Sequence, residues 1–138
     1  MAARPLPAHA YTTLGRTGRR VSRVGFGGYR VADGIATHRA ALERALAGGV
    51  TLVDTSTNYG DGESERLVGR VLRATGREDA AVVVTKAGYV QGSNQEEALR
   101  RIREGRPWSE MTEYAPDCWH CLSPDFLRDQ LTASLARL

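Results

Sequence analysis

Residues 50–54 (VTLVD) and 81–85 (AVVVT) are two short apolar runs on either side of a helical pattern at residues 63–73. Neither run alternates apolar with polar side chains, which is typical of strands covered on both faces of a parallel sheet. Between the two runs, Leu67 and Val71 repeat at the spacing that places apolar side chains on one face of a helix. This stretch therefore predicts a strand, a helix and a second strand parallel to the first.

The same unit extends toward the N-terminus. The run VGFG at residues 24–27 predicts an earlier strand, and Thr37 is a suitable N-cap for a helix over residues 38–47. The strands then begin near residues 24, 50 and 81, a spacing of about thirty residues, as in one unit of a (β/α)8 barrel. Glycines at both ends of residues 15–18 predict the turn of a preceding hairpin. The predicted fold class is α/β, a partial (β/α)8 TIM barrel with an N-terminal hairpin and about three β/α units.

The rest of the chain contains a tail and an insertion. Prolines give residues 1–10 the character of a loose N-terminal tail, so the predicted domain covers residues 11–138. Residues 87–122 form an insertion after the third strand. Inside the insertion, Ser93 and Glu96 fit a capping box that begins a helix.

A final helical pattern begins at Pro124 and carries leucines at helical spacing. Leu127, Leu131 and Leu135 fall on one face, and Leu138 continues that face. This last crossover leads to no further strand, so we expect a barrel truncated before strand four. A small open α/β sheet that ends on a helix is the alternative.

Composition narrows the functional classes. The chain has 138 residues, 41% hydrophobic and 25% charged, with a net charge of +3, as in one ordinary globular domain. Its arginines are scattered and often neighbour acids, as Arg66 neighbours Glu65, so we expect no nucleic-acid partner. No apolar run approaches the length of about 18 residues needed for a membrane span, and the N-terminus lacks an apolar signal segment. We therefore expect no membrane partner and a cytoplasmic location.

Lys86 is the single lysine among nineteen basic residues and ends the third predicted strand. Asp54 ends the second strand and Tyr59 follows in the next loop, and such strand ends gather at the active site of (β/α)8 barrels. A carboxylate keeps a nearby lysine charged, and a lysine cation lowers the pKa of a nearby phenol, which can then donate a proton. The spacing also permits a structural interpretation, in which Asp54 caps the loop, Tyr59 lies on the surface and Lys86 forms an ion pair.

Several motifs resemble those of the aldo-keto reductase family. They are LVDTSTNYG at residues 52–60, GESERLVG at 62–69 and VTK at 84–86, preceded by LGRTG at 14–18 and VGFGG at 24–28. The resemblance runs from about residue 11 to residue 138 and implies the N-terminal part of that family's (β/α)8 barrel. It also implies NADP-dependent reduction of a small aldehyde, ketone or sugar substrate, or the reverse oxidation of an alcohol.

The resemblance implies a catalytic role for three of these residues. Tyr59 is the implied proton donor, Lys86 tunes it and Asp54 holds Lys86. The family's fourth catalytic group is a histidine at the end of strand four, which would follow residue 138, and none of the chain's three histidines occupies that position. We therefore expect the isolated chain to be inactive.

The cofactor that the resemblance implies is NADP(H). Gly28, Tyr29 and Arg30 loosely match the family's region that borders the nicotinamide and the substrate. The family's main phosphate-binding segments lie beyond the matched part. We therefore expect the complete family protein to bind NADP(H) and this chain alone not to bind it.

The run CWHC at residues 118–121 offers a non-enzymatic alternative. Such a pair can be a redox dithiol or half of a zinc site, but no second cysteine pair completes four zinc ligands, so we predict no metal site. The other interpretation is a loop packed by Trp119 over the barrel mouth, with Trp108 and Tyr114 lining a substrate pocket. In the non-enzymatic alternatives, the chain is an inert barrel fragment or a thiol module.

Overall fold

The computed structural model describes residues 5–138 and places a short antiparallel hairpin ahead of the main sheet. Strand β1 (Tyr11–Thr13) pairs with β2 (Arg20–Ser22), as the turn signal predicts. The backbone N–H of Ser22 donates to Thr51 Oγ1 at 2.8 Å, and its hydroxyl accepts from the N–H of Thr51 at 3.0 Å. The hairpin therefore lies at the N-terminal end of the strand that follows Thr51.

The segment before the hairpin is held more closely than the loose tail expected for residues 1–10. Residues 1–4 lie outside the described part of the chain. Beyond them, Ala8–Ala10 form a short 3-10 helix, and the N–H of Leu6 donates to Gly48 O at 2.9 Å. The described end of this segment is thus attached to the loop that precedes the second strand of the main sheet.

Three parallel strands form the main sheet, in the order β3 (Phe26–Gly27), β4 (Leu52–Asp54) and β5 (Val82–Val84). Helix α1 (Ala36–Ala47) connects the first two strands, and α2 (Glu63–Thr75) connects the last two. This is the β/α architecture that the sequence predicts, although each strand is shorter than its apolar run. Among the described residues, β3 and β5 each pair with one neighbour, so both outer edges of this sheet are open.

A hydrophobic core joins the two helices to the main sheet. The apolar face predicted for α2 is buried, as are Leu42 and Leu46 of α1. Helix α1 begins one residue before Thr37, so Ile35 rather than Thr37 is the N-cap, and no side chain caps the helix. The buried members of this first core are Leu42, Leu46, Val53, Leu67, Val68, Val71, Leu72 and Ala81.

The insertion folds as a second, antiparallel sheet that the sequence patterns do not predict. Strand β6 (Tyr89–Val90) lies at one edge, β8 (Cys118–Cys121) in the middle and β7 (Met111–Ala115) at the other edge. Helix α3 (Ser93–Arg103) follows β6, and its N-cap is Gly92. The capping box predicted from Ser93 and Glu96 does not form, because Ser93 lies inside the helix and no side chain caps it. A second core lies beneath this sheet and buries Val90, Ala98, Trp108, Trp119, Cys121 and Phe126.

The prediction that the CWHC run is a loop over the barrel mouth is wrong, because this run forms strand β8. Alternate side chains along a strand project to opposite faces, so Trp119 and Cys121 point together into the second core. Trp108 is buried in the same core, so the two tryptophans do not line a pocket. Tyr114 remains exposed on β7.

Helix α4 (Pro124–Arg137) does not bury the whole of its leucine face. Leu131 and Leu135 are 57% and 73% exposed, whereas Gln130 and Ser134 are buried. Both polar side chains find hydrogen-bond partners on α3 and α2, and Phe126 is fully buried on the same helix, so this face docks through one aromatic side chain and two polar contacts. No helix in the described part of the chain is long and apolar enough to cross a membrane.

Candidate active site

Asp54 and Lys86 meet at the C-terminal edge of the main sheet. Asp54 is the last residue of β4, and Lys86 lies just beyond β5, its parallel neighbour. The Lys86 ammonium donates to Asp54 Oδ1 at 2.7 Å and to Thr55 O at 2.6 Å. The lysine and aspartate side chains are 45% and 51% exposed, so the ion pair is accessible to a ligand.

Tyr59 lies beside this ion pair. Its loop turns back on itself, because the N–H of Tyr59 donates to Ser56 O at 3.2 Å and its carbonyl accepts from the N–H of Ser64 at 3.2 Å. Lys86 Nζ lies 5.2 Å from the centre of the Tyr59 ring, within the range of a cation–π contact. The structure thus brings together the aspartate, the tyrosine and the lysine that the sequence predicts to converge.

Gly28, Tyr29 and Arg30 follow β3 and lie at different depths. Gly28 is buried, and a Cβ built on it would lie 2.5 Å from Ser64 Oγ, so any larger residue must displace that serine. The ring of Tyr29 packs edge-on against Tyr59, with 5.2 Å between ring centres. Arg30 Cζ lies 5.6 Å from the centre of the Tyr29 ring. Tyr29 and Arg30 form an exposed border of the site, and Gly28 lies beneath it.

Sequence reasoning missed the role of Ser64, which links two strand ends beneath the site. Its hydroxyl donates to Gly28 O at 2.8 Å and lies 2.8 Å from Thr55 Oγ1. Gly28 directly follows β3 and Thr55 directly follows β4, so one hydroxyl at the start of α2 holds both strand ends. A signal was available, because Ser64 lies one turn before Val68 on the buried face of α2, where a polar side chain needs a partner.

Glu65, the next residue, was also missed, and its carboxylate is fully buried. Its Oε1 atom accepts from Thr85 Oγ1 at 2.6 Å and from Ser134 Oγ at 2.8 Å, and Oε2 accepts from Arg137 Nη1 at 2.9 Å. The first turn of a helix favours a negative charge, and these partners satisfy both oxygens. Because Thr85 immediately precedes Lys86, this buried group reaches the edge of the site.

The loop that carries Tyr59 is also bonded to the insertion. Asn58 Nδ2 donates to Gln91 Oε1 at 2.9 Å, and Ser93 Oγ donates to Asp61 Oδ1 at 2.8 Å. Ser93 is the first residue of α3, so its hydroxyl makes this contact instead of closing a capping box. The second sheet therefore helps to fix the position of the tyrosine loop.

Comparison with known protein sequences identifies the family. Residues 23–138 match the sequence profile of the Aldo/keto reductase family. The chain belongs to the aldo/keto reductase family. The matched range includes the strand ends that carry the Asp54–Lys86 ion pair.

Individual relatives agree with this assignment. This aldo/keto reductase chain is 34% identical over 95 residues to aldo-keto reductase YhdN of Bacillus subtilis (strain 168). The aligned residues cover 62% of this chain and 28% of YhdN. It is 30% identical over 133 residues to the NADH-specific methylglyoxal reductase of Escherichia coli (strain K12). That alignment covers 91% of this chain and 37% of the reductase. The holo form of aldo-keto reductase AKR11C1 from Bacillus halodurans has a TM-score of 0.68 at 23% identity, over 93% of this chain and 36% of that chain.

The matched part is a minor share of each relative. This aldo/keto reductase chain spans 28% and 37% of the two sequence relatives and 36% of the solved structure. At 23% identity, the structural likeness shows the fold alone. It confirms the predicted fold class, because the three-stranded parallel sheet and its helices correspond to part of a TIM barrel.

The cysteines of this aldo/keto reductase chain do not face each other. Cys118 and Cys121 lie three residues apart on β8, so their side chains project to opposite faces of the sheet. Burial raises the pKa of the Cys121 thiol, which disfavours the reactive thiolate. Among residues 5–138, no group of three or more His, Cys, Asp or Glu residues could hold a metal ion. This geometry does not favour a dithiol function.

Proposed function

We propose that this chain supplies the proton-donating side of an NADP(H)-dependent carbonyl reductase, which also oxidises alcohols in the reverse direction. The observation that carries the proposal is the Lys86 ammonium, bonded to Asp54 and lying 5.2 Å from the centre of the Tyr59 ring. In this reaction Tyr59 is the general acid, and its hydroxyl gives a proton to the carbonyl oxygen of the substrate.

Each residue of this group has a separate task. The positive charge of Lys86 stabilises the phenolate that remains on Tyr59 after proton transfer. Asp54 and the carbonyl of Thr55 hold the lysine ammonium in one place, so its charge is already positioned when the phenolate forms. In the reverse direction, the phenolate accepts the hydroxyl proton of the alcohol.

The exposed residues of the site fit the reactive end of the cofactor. When bound, NADPH would supply the hydride for reduction, and NADP⁺ would accept it in the reverse oxidation. Tyr29 and Arg30 are exposed beside Tyr59, where they can border a planar nicotinamide ring. Gly28 lies beneath them and keeps this part of the backbone close to α2. We assign no residue of this chain to the cofactor phosphates.

The proposed substrate is a small aldehyde, ketone or sugar. The Escherichia coli relative is named for methylglyoxal, a small carbonyl compound. The half-exposed ion pair at the strand ends leaves room for a molecule of that size to approach Tyr59. A cytoplasmic location stays a prediction from the sequence.

We further propose that the 138-residue chain does not turn over carbonyls by itself. Its main sheet has two open edges among the described residues, so the strands do not enclose a substrate. Catalysis by positioned charges requires an enclosed and preorganised site. Calorimetric titration of the chain with NADPH should show weak binding or none, and micromolar binding by a compact monomer would contradict this proposal.

A chimaera tests the catalytic role of Tyr59. Residues 11–138 would replace the matching segment of the Escherichia coli NADH-specific methylglyoxal reductase, and methylglyoxal reduction would be followed through NADH consumption. We expect Tyr59→Phe to lower kcat by about 10²–10⁴-fold, because the proton donor is lost. Tyr114→Phe is the matched control, since Tyr114 is exposed on β7 of the second sheet.

The two tyrosine variants give distinct outcomes. The control should keep the activity of the unsubstituted chimaera, because it loses a hydroxyl outside the site. Full activity in Tyr59→Phe would exclude Tyr59 as the proton donor. An equal loss in both variants would show that the effect does not depend on the site.

A further inference from the structure

The buried carboxylate of Glu65 connects helix α4 to the edge of the candidate site. One oxygen accepts two hydroxyl hydrogen bonds, from Thr85 at 2.6 Å and from Ser134 at 2.8 Å, and the other bonds to Arg137 at 2.9 Å. An ion removed from water is stable only where its partners stay in place. The positions of these partners are therefore closely constrained.

Thr85 extends this constraint to Lys86. Thr85 directly follows β5, and its hydroxyl bonds to Glu65, while the next side chain, that of Lys86, bonds to Asp54. Neighbouring side chains along an extended chain project to opposite sides, so holding one of them fixes the direction of the other. The bond between Thr85 and Glu65 thus keeps Lys86 turned toward Asp54.

We propose that Glu65 is a positioning residue that holds Lys86 beside Tyr59 through the hydroxyl of Thr85. The proposal rests on the proposed function only for the use of Lys86 in catalysis, because the contact itself belongs to the folded chain. A purely structural role for Glu65 predicts a different behaviour. In that case losing the hydroxyl of Thr85 and losing that of Ser134 should have the same effect, since each hydroxyl donates one hydrogen bond to the same oxygen atom.

Two substitutions separate these roles. Thr85→Val and Ser134→Ala each remove one hydroxyl donor from Glu65 Oε1 and leave an apolar side chain of similar or smaller size. Only Thr85 neighbours Lys86, so only Thr85→Val should disturb the lysine. Thr85→Ser keeps the hydroxyl and should restore the original behaviour. Thr85→Ala is the second variant, used in the same way if Thr85→Val lacks the circular dichroism spectrum of the unsubstituted chain.

The single lysine makes the measurement selective. When the 138-residue chain carries ¹³C only at the lysine ε-carbon, its one side-chain resonance belongs to Lys86. Asp54→Asn removes the ionic partner and gives the reference position of a released lysine. We expect Thr85→Val to move the resonance most of the way to that reference. Thr85→Ser and Ser134→Ala should leave it near its original position.

The outcomes also separate this proposal from the catalytic one. An unmoved resonance in Thr85→Val, or an equal movement in Ser134→Ala, would overturn the positioning role. In the chimaera, Thr85→Val should lower kcat several-fold without changing KM, and Ser134→Ala should change neither. A moved resonance with an unchanged kcat would support the positioning of Lys86 and contradict its use in catalysis.

Discussion

The two cores of the molecule differ in how they treat buried polar groups. Beneath the main sheet, Thr55, Ser64 and Glu65 are fully buried, and each of their side-chain oxygens has a hydrogen-bond partner. On this side only the hydroxyl of Thr57, in the loop after β4, is buried without a partner among the described residues. Beneath the second sheet, the indole nitrogens of Trp108 and Trp119 are buried without a partner in the described structure. Directional bonds specify one geometry, whereas apolar packing accepts several arrangements of similar volume. The candidate catalytic groups lie beside the buried side chains that these directional bonds hold.

The largest expected effect comes from the buried carboxylate of Glu65. Glu65→Ala removes the carboxylate that joins α2, Thr85 and α4, and it leaves Arg137 without its ionic partner. We expect a loss of about 3–5 kcal/mol in the free energy of unfolding, as for other broken buried pairs. Urea unfolding followed by circular dichroism measures this loss.

An exposed ion pair provides the control for that measurement. Asp125→Ala breaks the pair of Asp125 with Arg128 on α4, whose side chains are 78% and 70% exposed. Exposed pairs contribute little, so the unfolding curve should hardly move. If Glu65→Ala cost no more than Asp125→Ala, the buried carboxylate would contribute no more than an exposed ion pair, and its bonds would not hold α2, Thr85 and α4 together.

Gly28→Ala should have an intermediate effect. The added Cβ would lie 2.5 Å from Ser64 Oγ and 3.0 Å from Asp54 O, so Ser64 must rotate away from its two hydrogen bonds. We expect a loss of about 1–3 kcal/mol, measured by the same urea unfolding. Gly27→Ala is a matched control one residue earlier, because a Cβ there meets nothing within 4 Å. Equal losses in the two variants would show that strand propensity, and not the contact with Ser64, causes the effect.

The smallest effect is expected in the second core, beneath the antiparallel sheet. Cys121→Val exchanges one small buried side chain for another of similar volume, and we expect a change below about 1.5 kcal/mol. The substitution should also alter the pH dependence of stability. Burial raises the pKa of Cys121, so at alkaline pH the unfolded chain releases a thiol proton that the folded chain retains.

That linkage fixes the direction of the pH effect. The stability that Cys121 contributes is present below the ordinary pKa of a thiol and falls as the pH rises through the alkaline range. Urea unfolding at about pH 7 and about pH 10 measures the fall, which Cys121→Val should reduce. An identical fall in the variant would assign it to other groups.

The sequence patterns predicted those strands and helices whose signal lies within a short stretch of the chain. The apolar runs that become β4 and β5, and the apolar face of α2, each lie within one short window of sequence. The meeting of Asp54 and Lys86 followed from topology, because residues that end neighbouring parallel strands share an edge. The approach of Tyr59 to Lys86 could be predicted for the same reason, since its loop leaves that edge.

Contacts between distant parts of the chain explain what the patterns missed. Strand β6 has two residues, and β7 is irregular between Glu113 and Ala115, so neither strand gives a periodic signal. The docking face of α4 includes Gln130 and Ser134, whose partners lie 36 and 69 residues away along the chain. Hydropathy does not contain such partners, so the spacing of the leucines does not reveal which face docks.

The hairpin of β1 and β2 gives the main sheet one closed end and one accessible end. Ser22 and Thr51 are joined by two hydrogen bonds at the start of β4, and the hydroxyl of Tyr11 donates to Gly49 O at 2.8 Å. The end of the strands that the hairpin leaves uncovered is therefore the end beside Tyr59. The lysine–aspartate pair is half-exposed at that end, so a molecule that rests against the Tyr59 ring displaces water from the pair and strengthens the attraction between its charges.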